Sequence, residues 1–144
     1  MKKILLLLLS ISLIWSTGCG GDDDTGSFVG VWIGLSVEVI NCANENNNSF
    51  DSFDCDEESC FRLELKDDGT YTYQEGLAIR SGDWNASGGL TLCTLEDGEE
   101  VCENYSASAA GSTLVYSFIN ETTECETLYT FIREEEFNQI GQGQ

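Results

Sequence analysis

This chain of 144 residues contains seven cysteines, the residue type in it that can take part in the widest range of chemistry. Thiols can ligate zinc, act as nucleophiles or form disulfides. Cys19 stands alone near the start, and six others follow: Cys42, Cys55, Cys60, Cys93, Cys102 and Cys125. Their spacings do not fit the usual zinc-binding pairs, and the chain contains no His. In an exported protein, six such cysteines predict up to three disulfides.

Carboxylates are the other abundant groups, with 26 Asp and Glu against 6 Lys and Arg and a formal net charge of −20. The absence of His excludes Ser-His-Asp and Cys-His catalysis, and no carboxylate has an identifiable acid–base partner. We therefore do not expect an enzyme. The acidic loop around residues 51–58 could attract calcium but matches no EF-hand. We expect a solvated loop, no metal and no cofactor, and the acidity excludes nucleic acid as a partner.

The first 18 residues have the composition of an export signal. Met1-Lys2-Lys3 is basic, residues 4–15 form a mostly apolar run, and Ser16-Thr17-Gly18 are small. The run is too short to span a bilayer, which needs about 20 residues. A basic start, a short apolar stretch and small residues after it are typical of a secretory signal peptide.

The residue that follows these small residues is Cys19, and the whole pattern resembles the signal of bacterial lipoproteins. The resemblance implies a signal peptide over residues 1–18, cut before Cys19, with fatty acids such as palmitate attached to Cys19. Acyl chains would then hold the protein on the membrane. Cleavage would remove Lys2 and Lys3, leaving 4 basic and 26 acidic residues, a formal −22. The alternative is an ordinary signal peptide with Cys19 as one more thiol.

Residues 19–26 have no apolar periodicity, which indicates an acidic, flexible tether. An Asp directly after the lipidated Cys is, in enteric-type sorting, a signal for retention in the inner membrane. Gly20 stands there, so the resemblance favours a lipid anchor in the outer membrane of the cell envelope. Asp22-Asp23-Asp24 resembles the acidic run that some Gram-negative lineages use to export lipoproteins to the cell surface. The periplasmic face and the cell surface both remain open.

The rest of the chain is composed of short β-rich runs separated by turn signals, which predicts an all-β sandwich or barrel of antiparallel strands. Apolar and polar residues alternate within the runs. We predict eight strands, at residues 28–40, 60–66, 70–75, 79–85, 90–95, 100–107, 113–120 and 126–133. Residues 135–144 are acidic and then rich in Gln and Gly, and we expect a disordered tail there.

Two turns fix the registers of the strands beside them. A three-residue loop with a left-handed Gly69 pairs Leu65 with Tyr71 and keeps the apolar residues on one face. A two-residue loop at Asp97-Gly98 sets Cys93 opposite Cys102 at a distance that suits a disulfide. Cys93–Cys102 is therefore the predicted pair. The four cysteines Cys42, Cys55, Cys60 and Cys125 allow three pairings, which the sequence leaves open.

Gly30-Val31-Trp32 at the first strand and Arg133 at the end of the last resemble the lipocalins. In that family the Trp packs at the base of the barrel and the Arg lies over it in a cation–π contact. The chain is still more similar to the lipocalin-like domains of bacterial lipoproteins, through motifs at residues 30–32, 42, 63–70, 82–84, 90–92 and 130–133.

The resemblance implies an eight-stranded antiparallel up-and-down β-barrel over residues 27–134. It also implies a structural role for Gly30, Trp32 and Arg133 at the base. Trp32 has the opposite parity to Val31 and Ile33, so the first strand needs a bend or bulge, at Gly30 or at Gly34.

In lipocalins the open mouth carries alternate loops, and this chain places its longest loop, residues 41–59, at that end. All six cysteines would then lie near one rim. Phe50 and Phe53 in the loop either cap a cavity or pin the loop to the barrel.

Two functions follow from the resemblance. The first is a lipid-anchored module that binds or presents a small, mostly apolar ligand. The alternative is an envelope interaction protein (an inhibitor, an adhesion subunit or an uptake-complex subunit) with a side-chain-filled barrel and an acidic rim that meets a basic protein partner.

Overall fold

Alternation of apolar and polar side chains continues through most of the chain and gives nine β-strands among the residues that the structure describes. This structure is a computed structural model that describes residues 25–53, 55 and 60–141. The strands are β1 (Gly30–Ile40), β2 (Ser49–Ser52), β3 (Phe61–Leu65), β4 (Thr70–Glu75), β5 (Ala78–Asn85), β6 (Leu90–Glu96), β7 (Glu99–Ala110), β8 (Thr113–Ile119) and β9 (Glu126–Arg133). Helices α1 (Thr25–Phe28) and α2 (Glu134–Gly141) flank them. The predicted signal peptide, Cys19 and the tether through residue 24 lie outside the described residues.

The strands close into a barrel because β1 pairs with β3 on one side and with β9 on the other. From β3 to β9 each strand pairs antiparallel with the next, so eight strands form the closed up-and-down wall. This confirms the predicted all-β, eight-stranded antiparallel barrel, an architecture compatible with a lipocalin-like fold. β2 is a ninth strand that the sequence prediction missed, and it pairs with β1 between Ser36 and Val39.

Both predicted registers are present. Leu65 pairs with Tyr71 across the β3–β4 turn, where Gly69 has a φ of +82°. Cys93 pairs with Cys102 across the β6–β7 hairpin. Because the side-chain period of a strand is two, these registers decide which residues face the interior of the barrel.

The bulge predicted in the first strand lies at the second of the two proposed glycines. The pairing of β1 with β9 shifts register between Gly34 and Ser36. Before the shift, even-numbered residues of β1 such as Trp32 face the interior of the barrel. After it, odd-numbered residues do, and Val37 lies opposite Tyr129 of β9. A Cβ at position 34 would lie 2.8 Å from the ring of Phe61, so this position has no room for a side chain.

One half of the barrel is filled by large side chains. Six of them are at most 1% exposed: Trp32, Leu63, Leu65, Leu90, Leu114 and Phe131. They lie toward the end that carries the β3–β4, β5–β6 and β7–β8 turns, which we call the base. The opposite end, with the β4–β5, β6–β7 and β8–β9 turns, is called the mouth.

The predicted disorder of the C-terminal tail was wrong for residues 135–141. Glu134–Gly141 forms helix α2, which contacts β1 and β9. Three glutamates occupy its first turn, where the helix dipole favours negative charge. Arg62 Nε of β3 also lies 3.2 Å from Glu134 Oε1.

The start of the barrel also differs from the prediction, because Thr25 and Gly26 belong to helical turn α1 and not to a flexible tether. Within the described residues, no helix has both the length and the apolar composition needed to cross a membrane.

Candidate functional site

The base of the barrel is closed by the contact that the lipocalin resemblance implies. The guanidinium carbon of Arg133, on β9, lies 4.3 Å from the centre of the Trp32 ring, on β1. Gly30 permits this approach, because a Cβ there would lie 2.3 Å from Arg133 Nη1. The three residues predicted at the base therefore lie together.

Arg133 and Trp32 also hold the segment that enters the barrel. Arg133 Nη2 donates to the carbonyl of Ser27 and Nη1 to that of Val29, each at 3.0 Å. Trp32 Nε1 donates to the carbonyl of Phe28 at 2.8 Å. Bonds from a charged donor are among the stronger hydrogen bonds in proteins. The N-terminal turn is thereby fixed to the last strand.

The mouth half of the barrel contains a cavity of about 420 Å³. Its wall includes all five tyrosines of the chain, Tyr71, Tyr73, Tyr105, Tyr116 and Tyr129, together with Phe118. They come from the four strands β4, β7, β8 and β9. The remaining lining residues are Arg80, Leu92, Thr94, Glu96, Val101, Glu103 and Asn104.

The rings of this wall touch one another. The Tyr116 ring centre lies 4.8 Å from that of Tyr105 and 5.1 Å from that of Tyr129. Phe61 lies 5.7 Å from Tyr129 and 4.8 Å from Tyr73, so it joins the two sides. Such contacts restrict the rings and give the cavity a preformed aromatic surface.

Carboxylates hold two of the phenols. Tyr105 O–H donates to Glu103 Oε2, and Tyr73 O–H donates to Glu75 Oε2 at 3.4 Å. Burial, followed by the effect of Glu103, raises the pKa of Tyr105 far above its ordinary value. Burial likewise raises the pKa of Tyr116 well above 10.0. The phenols of the cavity are therefore neutral at physiological pH.

A second hollow lies in the wall between β5 and β6. The described pairing of these strands runs from Asp83–Cys93 to Asn85–Thr91. Toward the mouth the strands part, and a groove of about 340 Å³ lies between them. The groove shares Arg80, Thr94 and Glu96 with the cavity, so the side chains of these residues lie between the two.

The three disulfides are Cys42–Cys125, Cys55–Cys60 and Cys93–Cys102. The last is the pair that the hairpin register predicts, and the structure resolves the pairing of the other four cysteines. Cys42–Cys125 joins the end of β1 to the start of β9 at the mouth, and both residues are buried.

The Cys55–Cys60 disulfide lies at the mouth end of β3, because Phe61 follows Cys60 and pairs with Glu75 beside the β4–β5 turn. This disulfide closes the loop before β3 beside the middle of β1, where Phe53 N–H donates to the Leu35 carbonyl at 2.8 Å. β2 carries the chain back along β1 before this loop begins.

Phe50 and Phe53 lie outside the lining of the cavity. Phe50 is 63% exposed on β2. Phe53 stacks on Phe61 at 5.0 Å and packs against the core, so its contacts pin the loop to the barrel wall.

Among the described residues, one group has the spacing to hold a metal: Cys93, Glu100 and Cys102. Both of its sulfurs are bonded to each other, so they cannot act as thiolate ligands.

The tyrosines were missed as site residues, although the sequence contains the signal. Each lies at the parity that the correct register turns inward: Tyr71 opposite Leu65, Tyr73 opposite Leu63 and Tyr105 opposite Leu90.

Comparison of the chain with protein-family models, with curated proteins and with solved structures finds no match.

Proposed function

We propose that this protein is a lipid-anchored, lipocalin-like lipoprotein of the cell envelope that binds or presents a small, mostly apolar ligand. The observation that carries the proposal is the aromatic cavity of about 420 Å³ in the mouth half of the barrel. Ligand pockets commonly have volumes of about 300–1,000 Å³ and aromatic walls with a few polar groups.

The distribution of side-chain size along the barrel supports a barrel that binds a ligand over a barrel that is filled by its own side chains. An eight-stranded barrel is just wide enough for its own side chains to fill it. At the base, Trp32, Trp84 and Phe131 do so. Toward the mouth, Thr94 on β6 and Val101 on β7 line the cavity with smaller side chains, and the interior there is open.

Native mass spectrometry tests this proposal. The chain purified from its own membranes is expected to carry a small molecule that denaturation releases. Val101→Trp places a large side chain at the lining of the cavity and should abolish this mass difference. Leu77→Trp is the matched control, because Leu77 is 93% exposed in the β4–β5 turn. A wild-type chain with no bound molecule, and none taken up from a lipid extract, would refute the proposal.

The anchor belongs to the same proposal and rests on the start of the sequence. Residues 1–18 have the pattern of a signal peptide, and Cys19 follows where the cut would fall. The chain behind Cys19 is strongly acidic, so charge would not draw it to an anionic membrane. Acyl chains on Cys19 would supply the attachment, in the outer membrane and facing the periplasm or the cell surface.

A second candidate is an envelope interaction protein, an inhibitor, an adhesion subunit or an uptake-complex subunit. It is favoured by large apolar side chains exposed around the mouth: Phe50, Leu77, Leu95 and Ile119. The formal charge of −20 would steer a basic protein partner toward this surface. This candidate function would be supported if the protein captured a partner, if the yield of that partner fell with added salt, and if Leu95→Asp abolished the capture. Capture that does not respond to salt would exclude the electrostatic part.

A further inference from the structure

The cavity wall is rich in aromatic rings and carries more negative than positive charge. Tyrosine and phenylalanine rings have negative faces, and a cation above such a face is attracted to it. All five tyrosines and Phe118 line one cavity, and burial keeps the phenols protonated. Tyr73, Tyr105 and Tyr129 are only partly buried, so their rings border the space that a small molecule would occupy, whereas Tyr116 is buried and stacks on Tyr129 and Phe131.

Two carboxylates, on Glu96 and Glu103, line the same cavity against a single guanidinium, on Arg80. Glu103 accepts the Tyr105 O–H, which holds this carboxylate beside the ring cluster. A third carboxylate, Glu75, accepts the Tyr73 O–H at 3.4 Å. The polar groups around the rings thus favour a positive group on the ligand.

The other basic side chains of the described residues do not line the cavity. Arg133 lies on Trp32 at the base, Arg62 is paired with Glu64 and Glu134, and Lys66 lies before the β3–β4 turn at the base end. The whole chain has a formal charge of −20. Such a field raises the local concentration of cations and repels anions.

We propose that the cavity binds an organic cation: an amine or quaternary ammonium group carried on a flat apolar body. The rings of Tyr105 and Tyr129 take the cationic group and the apolar body, and Glu103 supplies the counter-charge. This inference rests on the proposed ligand-binding function and names the chemical class of the ligand.

Isothermal titration calorimetry with the purified full-length chain tests the inference with three probes of similar size. They are benzyltrimethylammonium, its uncharged carbon isostere neopentylbenzene, and the anion 3-phenylpropionate. We expect the cation to bind about tenfold more tightly than the neutral isostere, the upper part of the range for contacts between cations and aromatic rings. We expect the anion to bind most weakly.

Two charge variants separate the ligand classes. Glu103→Gln should weaken binding of the cation about twofold to fivefold, the range for an exposed charge pair. Arg80→Gln should strengthen it, because it removes the one positive group of the lining. Asp67→Asn is the matched control: it removes one negative charge at the exposed β3–β4 turn of the base and should leave affinity unchanged. Thermal unfolding of each variant identifies any loss of fold.

Two further variants test the rings. Tyr105→Phe keeps the aromatic face and should retain most of the cation affinity, whereas Tyr105→Leu removes the face and should lower it about fivefold. A merely apolar contact would treat Phe and Leu alike.

Several results would overturn the inference. These are tighter binding of the anion, loss of binding in Arg80→Gln, equal affinities for all three probes, and no binding of any probe. In each case the proposed function stands if native mass spectrometry still shows a ligand that Val101→Trp abolishes. If no ligand is found there either, the proposed function fails as well.

Discussion

Replacing both cysteines of Cys42–Cys125 with alanine should destabilise the protein more than removing either of the other disulfides. Cys42 and Cys125 are 83 residues apart, whereas Cys93 and Cys102 are 9 apart and Cys55 and Cys60 are 5 apart. A disulfide restricts the unfolded chain, and this restriction grows with the logarithm of the loop that the bond closes.

The loop lengths give the size of the effect. Chain entropy assigns about 4.6 kcal/mol to Cys42–Cys125, about 2.7 kcal/mol to Cys93–Cys102 and about 2.2 kcal/mol to Cys55–Cys60 at 25 °C. Cys42 and Cys125 are also both buried, so their replacement removes packing in addition. We therefore expect the first pair to cost at least about 2 kcal/mol more than the second.

Equilibrium urea unfolding of the three double-alanine variants measures these differences. Loss of the long cross-link should also raise the m-value, because the unfolded chain exposes more surface without it. Equal losses in the three variants would refute the reasoning from loop length. A larger loss in the Cys93–Cys102 variant would show that native-state contacts of that hairpin dominate.

Three other predictions follow. Arg133→Met should lower the free energy of unfolding by about 2–4 kcal/mol, because the cation–π contact and the hydrogen bonds to the N-terminal carbonyls disappear. Arg62→Met is the control: Arg62 forms partly exposed ion pairs, and its replacement should lower the free energy of unfolding by less than about 1 kcal/mol. Burial raises the pKa of all five tyrosines, so their contribution to the free energy of unfolding should be fully present below pH 10 and should fall above it. The expected loss is about 1.4 kcal/mol per pH unit for each tyrosine that is ionised only in the unfolded state. Phenolate absorbance that appears before unfolding would contradict this prediction. The intact mass of the wild-type chain should include acyl chains that Cys19→Ser lacks, and loss of these chains should weaken partition into the detergent phase; a wild-type mass without acyl chains would exclude the anchor.

The barrel could be predicted from the sequence because local features determine most of it. The turns at Gly69 and at Asp97-Gly98 set two registers, and the alternation of side chains then fixes the faces of the strands. The Cys93–Cys102 disulfide follows from the second register alone. The bulge beside Gly34 follows from the parity of Trp32, which the sequence shows directly.

Features that depend on distant contacts could not be predicted. The Cys42–Cys125 pair exists because closure of the barrel brings the end of β1 to the start of β9. All four residues of β2 are exposed, so it has no apolar pattern of its own to reveal it. Helix α2 is eight residues long, a length at which isolated helices are marginal, and docking on β1 and β9 stabilises it.

The cavity depends on what the side chains leave empty. Its tyrosines could be assigned to the interior by register, but a Tyr at an inward position can fill a barrel as readily as line it. The volume follows from smaller residues such as Thr94 and Val101 that line the same space as the large rings. The volume of the cavity therefore depends on many positions together, and no single sequence motif shows it.

The fixed N-terminal turn determines which way the barrel would point on a membrane. Arg133 and Trp32 hold the carbonyls of Ser27, Val29 and Phe28 at the base, so the chain leaves the barrel at the end opposite the mouth. Cys19 precedes Thr25 by six residues, a span of at most about 20 Å when fully extended. With acyl chains on Cys19, the closed base would stay close to the bilayer and the aromatic cavity would open toward the water. A ligand would then enter or leave from solution or from a protein above the membrane, and not directly from the lipid to which this protein is attached.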